Sequence, residues 1–458
     1  MSHQSPQTLP TRVATTLRQG LRGVLLEPND SGYTLARRVW NAAIDRFPSA
    51  IAVCADAEDV TLALRTAAEC DLSVTVRGGG HNVAGRSVGN GLLMIDLSRL
   101  REVIVNADTR IATVQGGAQW HDVDIATARH GLATTGGLVS STGVGGFTLG
   151  GGAGWLMRKH GLAIDNLQAA HVVLGDGRFV RASAEEHADL FWGLRGGVGG
   201  LGVVTRFEFR LHPQTLVFAG VVIRPAAEAA QALRVFRDFA RQAPDEFCGM
   251  TVLAHAPPLP FLDAAWHGRP VVISALCWSG EIAQAERALE PLRKFGAPLT
   301  DHVGPMPYVQ WQHLQDGGAP AGRFQYWKSA SFSDLPDAII DSLAARAENL
   351  PTPQTEIHVQ HMGGAVRRVA TSETAFAQRD TAFFVNLIGT TIWPEELASL
   401  RERVRQIHQL FSAEALSRPL PNFSDQDVDV MTGGTASIAS QLSALRRRYD
   451  PAGRFAGV

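Results

Sequence analysis

The chain has 458 residues, 45% of them hydrophobic and 19% charged, with a formal net charge of -2. That length exceeds one ordinary core and implies two or three domains, while the near-neutral balance offers no electrostatic footprint for nucleic acid or an anionic membrane. No run of about 18 apolar residues occurs, so no membrane-spanning helix is expected.

The first twenty residues, MSHQSPQTLPTRVATTLRQG, are polar and lack the apolar stretch of a secretory signal. A cytoplasmic protein is therefore expected, with its first ten residues as a disordered tail. The four cysteines, Cys54, Cys70, Cys248 and Cys277, have no CxxC spacing and read as free thiols of a reducing compartment. No metal site is expected.

From Ala50, AIAVCADAEDVTLALRTAAECDLSVTVRGGGHN reads as a strand, a helix with acidic residues in its first turn, and a second strand ending at three glycines. GLLMIDLSRL and REVIVNADTRIATVQGG read as short strands, and HDVDIATARHGLATT as a helix stopped by Gly131. Between Gly136 and Gly154 the sequence GGLVSSTGVGGFTLGGGAG is about half glycine, against a background of about 7%. AAHVVLGDGRFVRAS reads as a hairpin turning at Asp176-Gly177. DLFWGLRGGVGGLGVVTRFEFRLHP then supplies a short helix, a third glycine cluster at 196–202 and a strand closed by Pro213.

Beyond Pro213 glycine usage becomes ordinary. EAAQALRVFRDFARQ, EIAQAERALEPLRKF and SDLPDAIIDSLAARAENL read as helices, and RPVVISALCW, TEIHVQHMGG and AFFVNLIGT as strands. Strands grouped with helices predict an α+β layer. ASIASQLSALRRRYDPAGRFAGV closes the chain as a helix broken at Pro451.

Glycine admits positive φ and lets backbone N–H groups approach a bulky anion closely. Three clusters in one half of the chain, with the hydroxyls of Ser140, Ser141 and Thr142 among them, point to a bound diphosphate. No GxxxxGK[ST] is present, and no GxGxxG opens a helix after the first strand, so neither a P-loop nor a Rossmann site is supported. His81 follows the first cluster directly. Alone it would read as a polar loop residue, but beside a diphosphate loop an imidazole can act as a nucleophile toward a passing cofactor.

Six segments, VRGGGHNVAG, TGVGGFTLGGGAGWLMRKHGLAIDNL, DLFWGLRGGVGGLGVVT, YWKS, GGAVRRV with TAFAQRD, and RRRYDPAGRF, carry a resemblance in order along nearly the whole chain. The chain resembles FAD-linked oxidases of the vanillyl-alcohol-oxidase type, in the berberine-bridge-enzyme-like branch. The resemblance implies an α+β fold in which residues 1–213 and 415–458 form a PCMH-type FAD-binding domain. Residues 214–414 would form an inserted substrate domain, an antiparallel sheet backed by helices. By the same resemblance Arg77, Gly78, Gly79, Gly80 and His81 hold the pyrophosphate, and His81 is joined to the flavin C8-methyl carbon. The rest of the implied FAD set is Asn82, Gly85, Gly137, Ser140, Ser141, Thr142, Gly143, Gly145, Gly146, Gly150, Gly151, Gly152, Asn166, Gly202, Val203 and Asn422.

Three features depart from that pattern: the second flavin bond, the residue tied to oxygen reactivity and the catalytic base. Val139 stands where many relatives have a cysteine that makes a second flavin bond, so a single covalent bond through His81 is expected. Thr142 stands where valine accompanies oxygen reactivity and leucine its absence, and its shape leans toward valine. Leu420 replaces the tyrosine of a Y-x-N motif, and FFVNLIGT, the strand on which the enzyme that names the branch carries a glutamate, holds no carboxylate, Asn386 being its only polar side chain before Thr390. With both usual bases absent, alternation in TEIHVQHMGG places Glu356, His358 and Gln360 on one face, able to line a pocket or to face solvent. His358 is the expected base for an alcohol donor. Tyr326 is a further candidate, though core packing is its more expected role.

The expected function is removal of a hydride from a small organic donor (an alcohol, amine or N-heterocycle) to flavin N5, with O2 as acceptor, by a monomer or homodimer. The alternatives are a dehydrogenase using another acceptor, a flavin-carrying binding protein without turnover, and an NADPH-driven reductase, which a histidyl bond disfavours.

Overall fold

A computed structural model describes residues 8–416, 420–423 and 436–456. Most of the predicted N-terminal tail lies outside them, and a helix begins at Thr11. The first sheet holds β1 (Val24–Leu26), β2 (Ala50–Val53), β3 (Val74–Arg77) and β4 (Leu93–Asp96) in the order β1-β2-β4-β3. The predicted strand-helix-strand unit is present as β2, the helix Ala57–Glu69 and β3, but β4 inserts between its two strands, parallel to both. Asp56 caps that helix by accepting from Asp59 N, and the helix turns Val60, Ala63, Leu64 and Ala67 onto the sheet.

The second sheet contains β5 (Val103–Asn106), β6 (Ile111–Gln115), β8 (Leu167–Val173), β9 (Phe179–Ser183) and β10 (Val203–Arg210), antiparallel in the order β5-β6-β10-β8-β9. The short β7 (Leu132–Ala133) pairs with β11 (His212–Pro213). Gly177, at φ +80°, makes the β8–β9 turn that Asp176-Gly177 predicts.

The third sheet takes the rest of the strands: β12 (Leu216–Pro225), β13 (Phe247–His255), β14 (Pro270–Trp278), β15 (Thr300–Pro307), β16 (Phe324–Phe332), β17 (Glu356–His361) and β18 (Phe383–Thr391). All seven are antiparallel, in the order β15-β12-β14-β13-β17-β18-β16. One face packs against the helices Ala229–Ala240, Ile282–Arg293, Asp337–Ala344 and Leu397–Ser412 through Leu233, Phe236, Ile340 and Val404. The other face meets Trp155, Leu156 and Leu162 from the glycine-rich half. The α+β class is therefore realised as a sheet covered by helices on one side and by the rest of the molecule on the other.

Near its end the chain stays with this third sheet longer than the expected boundary at 415. Leu416 bridges to Ser331, and Leu420 and Phe423 join the apolar cluster on its inner face. The helix Ala436–Tyr449 then packs on the helix Ala188–Leu194 beside the second sheet, and Phe455 bridges to Val74 of β3.

Candidate active site

The glycine-rich half and the inner face of the third sheet enclose a cavity of about 720 Å³. Gly78, Gly79, Gly80, Gly143, Gly145 and Gly146 line one side. A Cβ on Gly79 would stand 2.4 Å from Gly143 N, and one on Gly143 would stand 2.3 Å from Gly79 N. The two loops thus touch through bare peptide, and only glycine permits that approach. Gly146 has no atom within 4 Å of where its Cβ would be, so a side chain there would project into the cavity. The arrangement is a cradle of main chain, kept free of side chains, which fits a diphosphate-linked cofactor.

His81 stands at the end of this cradle. Ser141 Oγ lies 2.9 Å from His81 Nε2, and the indole of Trp40 stacks on its ring at 4.9 Å and 20°. Burial lowers its pKa to about 4, so the imidazole is neutral near pH 7. Trp40 continues edge-on to Trp327 at 5.7 Å, and Trp327 lies nearly parallel to Phe423 at 6.4 Å. Asn41 fastens this aromatic wall: its Nδ2 donates to Val83 O and Gln325 O, and its Oδ1 accepts from Gln325 N.

The third sheet contributes the polar wall. Glu356 and His358 both face the cavity, with Glu356 Oε2 2.6 Å from His358 Nε2. Asn386, the cross-strand partner of His358, lines it too, and its Oδ1 is buried without a hydrogen-bond partner. Ile357 and Val359 point into the helix-backed core, so strand alternation works here as expected. Beyond this wall Val221, Val252, Ile273, Ala275 and Phe261 are apolar.

Several expected residues stand elsewhere. Arg77 does not line the cavity; its guanidinium is engaged by Asp96, Ala36 O and Arg38 O, so only its main chain can serve the cradle. Gly85 makes a turn at φ +67° beside Ile44. Asn166 is buried, donating to His160 O and Leu162 O. Gly150, Gly151 and Gly152 form a turn behind the cradle, where Asn422 Oδ1 accepts from Gly152 N and Asn422 Nδ2 donates to Phe147 O; Asn422 itself reaches the cavity. Ser140 is turned to Asp316, its N and Oγ donating to the two carboxylate oxygens at 2.8 and 2.7 Å. Tyr326 packs into the helix-side core, because its strand neighbours Gln325 and Trp327 take the cavity face. Gln360 is buried on the cavity-side face of β17 but does not line the cavity. Asn82, Gly137, Thr142, Gly202 and Val203 do line it.

Trp40, Trp327, Phe423 and Gln325 were not singled out for the site. No periodicity marks Trp40, and only folding brings it onto His81.

Comparison with known proteins agrees with this geometry. Residues 48–183 match the FAD binding domain family. The chain is 26% identical to (R)-6-hydroxynicotine oxidase of Paenarthrobacter nicotinovorans over 461 residues, covering 98% of both chains. The chain thus carries an FAD binding domain and is similar along nearly its whole length to FAD-linked oxidoreductases. Among solved structures, a BBE-like protein of Physcomitrella patens superposes with a TM-score of 0.87 at 21% identity, covering 97% of each chain. Glucooligosaccharide oxidase of Acremonium strictum, described as carrying 6-S-cysteinyl, 8α-N1-histidyl FAD, superposes with a TM-score of 0.83 at 23% identity, covering 97% of this chain and 98% of that one. These relatives support an FAD-linked oxidase or dehydrogenase. Among its described residues no helix is long and apolar enough to cross a membrane.

Proposed function

We propose that this oxidoreductase carries FAD bound covalently through His81 alone and oxidises a small N–H- or O–H-bearing donor, with O2 as final acceptor. In this reading residues 1–213 and the C-terminal segment form the FAD-binding unit, and the third sheet forms the substrate wall. Bound FAD supplies the hydride acceptor at N5 of its ring. The main chain of Gly78–Gly80 and Gly143–Gly146 holds the diphosphate, and the glycine contact between these loops supports that assignment.

Ser141 occupies His81 Nε2, so the covalent bond is assigned to Nδ1, the nitrogen named for the Acremonium strictum oxidase. The second bond of that protein has no counterpart, because Val139 lines the cavity at the position expected for the cysteine. Thr142, valine-like in outline, lines the cavity beside Gly143 and supports O2 as acceptor.

The donor sits against Glu356, His358 and Asn386. These three offer acceptors to its N–H or O–H, orient its C–H bond toward the flavin, and allow His358 to take a proton from an alcohol. An amine donor in its neutral form needs less from that base. The apolar wall keeps water from the reacting centre. The four free cysteines support a reducing, cytoplasmic setting.

The observation that carries this reading is His81 at the end of the glycine cradle. Acid-precipitated protein should remain yellow, and His81→Ala should release the colour while still binding FAD. Anaerobic addition of amines and alcohols should then bleach the holoenzyme. Colourless precipitated wild-type protein would refute the covalent bond, and failure of every donor class to bleach it would leave the binding-protein alternative.

A further inference from the structure

His81 is not the end of the arrangement around the proposed attachment. The loop carrying its partner Ser141 is held on every side: Thr142 N donates to Val139 O, Trp120 N to Thr142 O and His121 N to Ser140 O. The inserted sheet region also grips it, because Asp316 accepts from both the N and the Oγ of Ser140. A hydroxyl on so constrained a loop keeps one direction, and it aims at His81 Nε2. Trp40, whose Nε1 donates to Ala319 O, covers a face of the imidazole and resists its rotation by stacking on it.

We propose that Ser141 is a positioning residue for flavin attachment, selecting the His81 tautomer whose Nδ1 is nucleophilic. Asp316 serves it by clamping the adjacent Ser140. This inference rests on the covalent reading of His81 above. A neutral imidazole carries one proton. With Ser141 Oγ accepting from Nε2–H, the lone pair lies on Nδ1. His81 Nδ1 then supplies the electron pair of the new C–N bond to the C8-methyl carbon. One methyl C–H bond breaks and the imidazole gives up its Nε2 proton. The two electrons and two protons reside on the isoalloxazine until O2 removes them as hydrogen peroxide. Afterwards Nε2 has a lone pair, and the same hydroxyl turns from acceptor to donor, so the contact survives the reaction.

The test compares purified wild-type, Ser141→Ala, Ser141→Thr and Asp316→Asn proteins, incubated with FAD in air. Total bound flavin and its acid-stable fraction are followed over time. Ser141→Ala should bind a full equivalent of flavin yet attach it slower by on the order of tenfold. Ser141→Thr should restore the wild-type rate, and Asp316→Asn should fall between them. Attachment by Ser141→Ala at the wild-type rate would overturn the inference, as would loss of FAD binding in that variant, which would make the serine a binding residue. Wild-type protein with wholly acid-extractable flavin would instead remove the covalent reading beneath both.

Discussion

At the level of single residues, the Glu356–His358 pair distinguishes the cavity's polar wall from its surroundings. The two side chains are two apart on one strand, on the same face, with Glu356 Oε2 2.6 Å from His358 Nε2. A carboxylate so placed orients the imidazole. Replacing His358 with Ala should slow flavin reduction by roughly a hundredfold for an alcohol donor, the lower end of general base catalysis. Glu356→Gln should cost about a tenth of that, since it leaves the base itself in place. Stopped-flow bleaching of the bound flavin measures both, and equal rates in wild type and His358→Ala would assign the pair to substrate binding. Arg77 shows the opposite case. Its sequence context, next to three glycines, invites a phosphate-binding role, yet Asp96 on the adjacent parallel strand claims its guanidinium.

At the level of elements, the helix Trp120–Ala128 carries a buried carboxylate toward the short helix Tyr308–Gln312 of the inserted region. Asp124 is 5% exposed and receives one long hydrogen bond from Gln312 Nε2, 3.4 Å. Burial raises its pKa to about 8, with Asp316 adding to the rise. The sign follows from linkage. The folded protein keeps this proton up to about pH 8, whereas the unfolded chain releases it near 3.8. Stability from this group is therefore greatest below pH 3.8 and declines as pH rises toward 8. Asp124→Asn removes that titration, so its thermal midpoint relative to wild type should climb steadily from pH 4 to pH 8. A constant difference across that range would show that the carboxylate is ionised in the fold.

Across the whole molecule, three histidines oppose that trend. His361 accepts from Arg158 Nη1 at 3.1 Å, and burial with the guanidinium beside it lowers its pKa to about 2. His160 and His212 stack at 3.8 Å, and burial first, then neighbouring positive charge, lowers them to about 3 and about 4. Each is neutral when folded but takes a proton near pH 6.5 when unfolded. Their stabilisation is complete above pH 6.5 and is lost as pH falls toward 4, by at most about 1.4 kcal/mol per pH unit for the deeply buried His361. Thermal melts should show this loss, and His361→Gln, which still accepts from Arg158, should reduce its slope. Arg158 and His361 tie the glycine-rich half to the third sheet, since Arg158 also donates to Met362 O and Phe247 O.

How much of this was legible beforehand depended on the range of the interactions. The glycine cradle, His81, the Asp176-Gly177 hairpin and the faces of β17 were readable because glycine content, turn chemistry and strand alternation act over a few residues. The aromatic wall of Trp40, Trp327 and Phe423, the grip of Asp316 on Ser140 and the diversion of Arg77 and Asn166 from the cavity were not. Those contacts join residues separated by up to several hundred positions, and their partners are chosen by which surfaces meet once the sheets have stacked. Local composition determined that a bare-backbone cradle with an adjoining imidazole would form. Only the packed fold decided which side chains share that space, because burial and hydrogen-bond competition are properties of the assembled core.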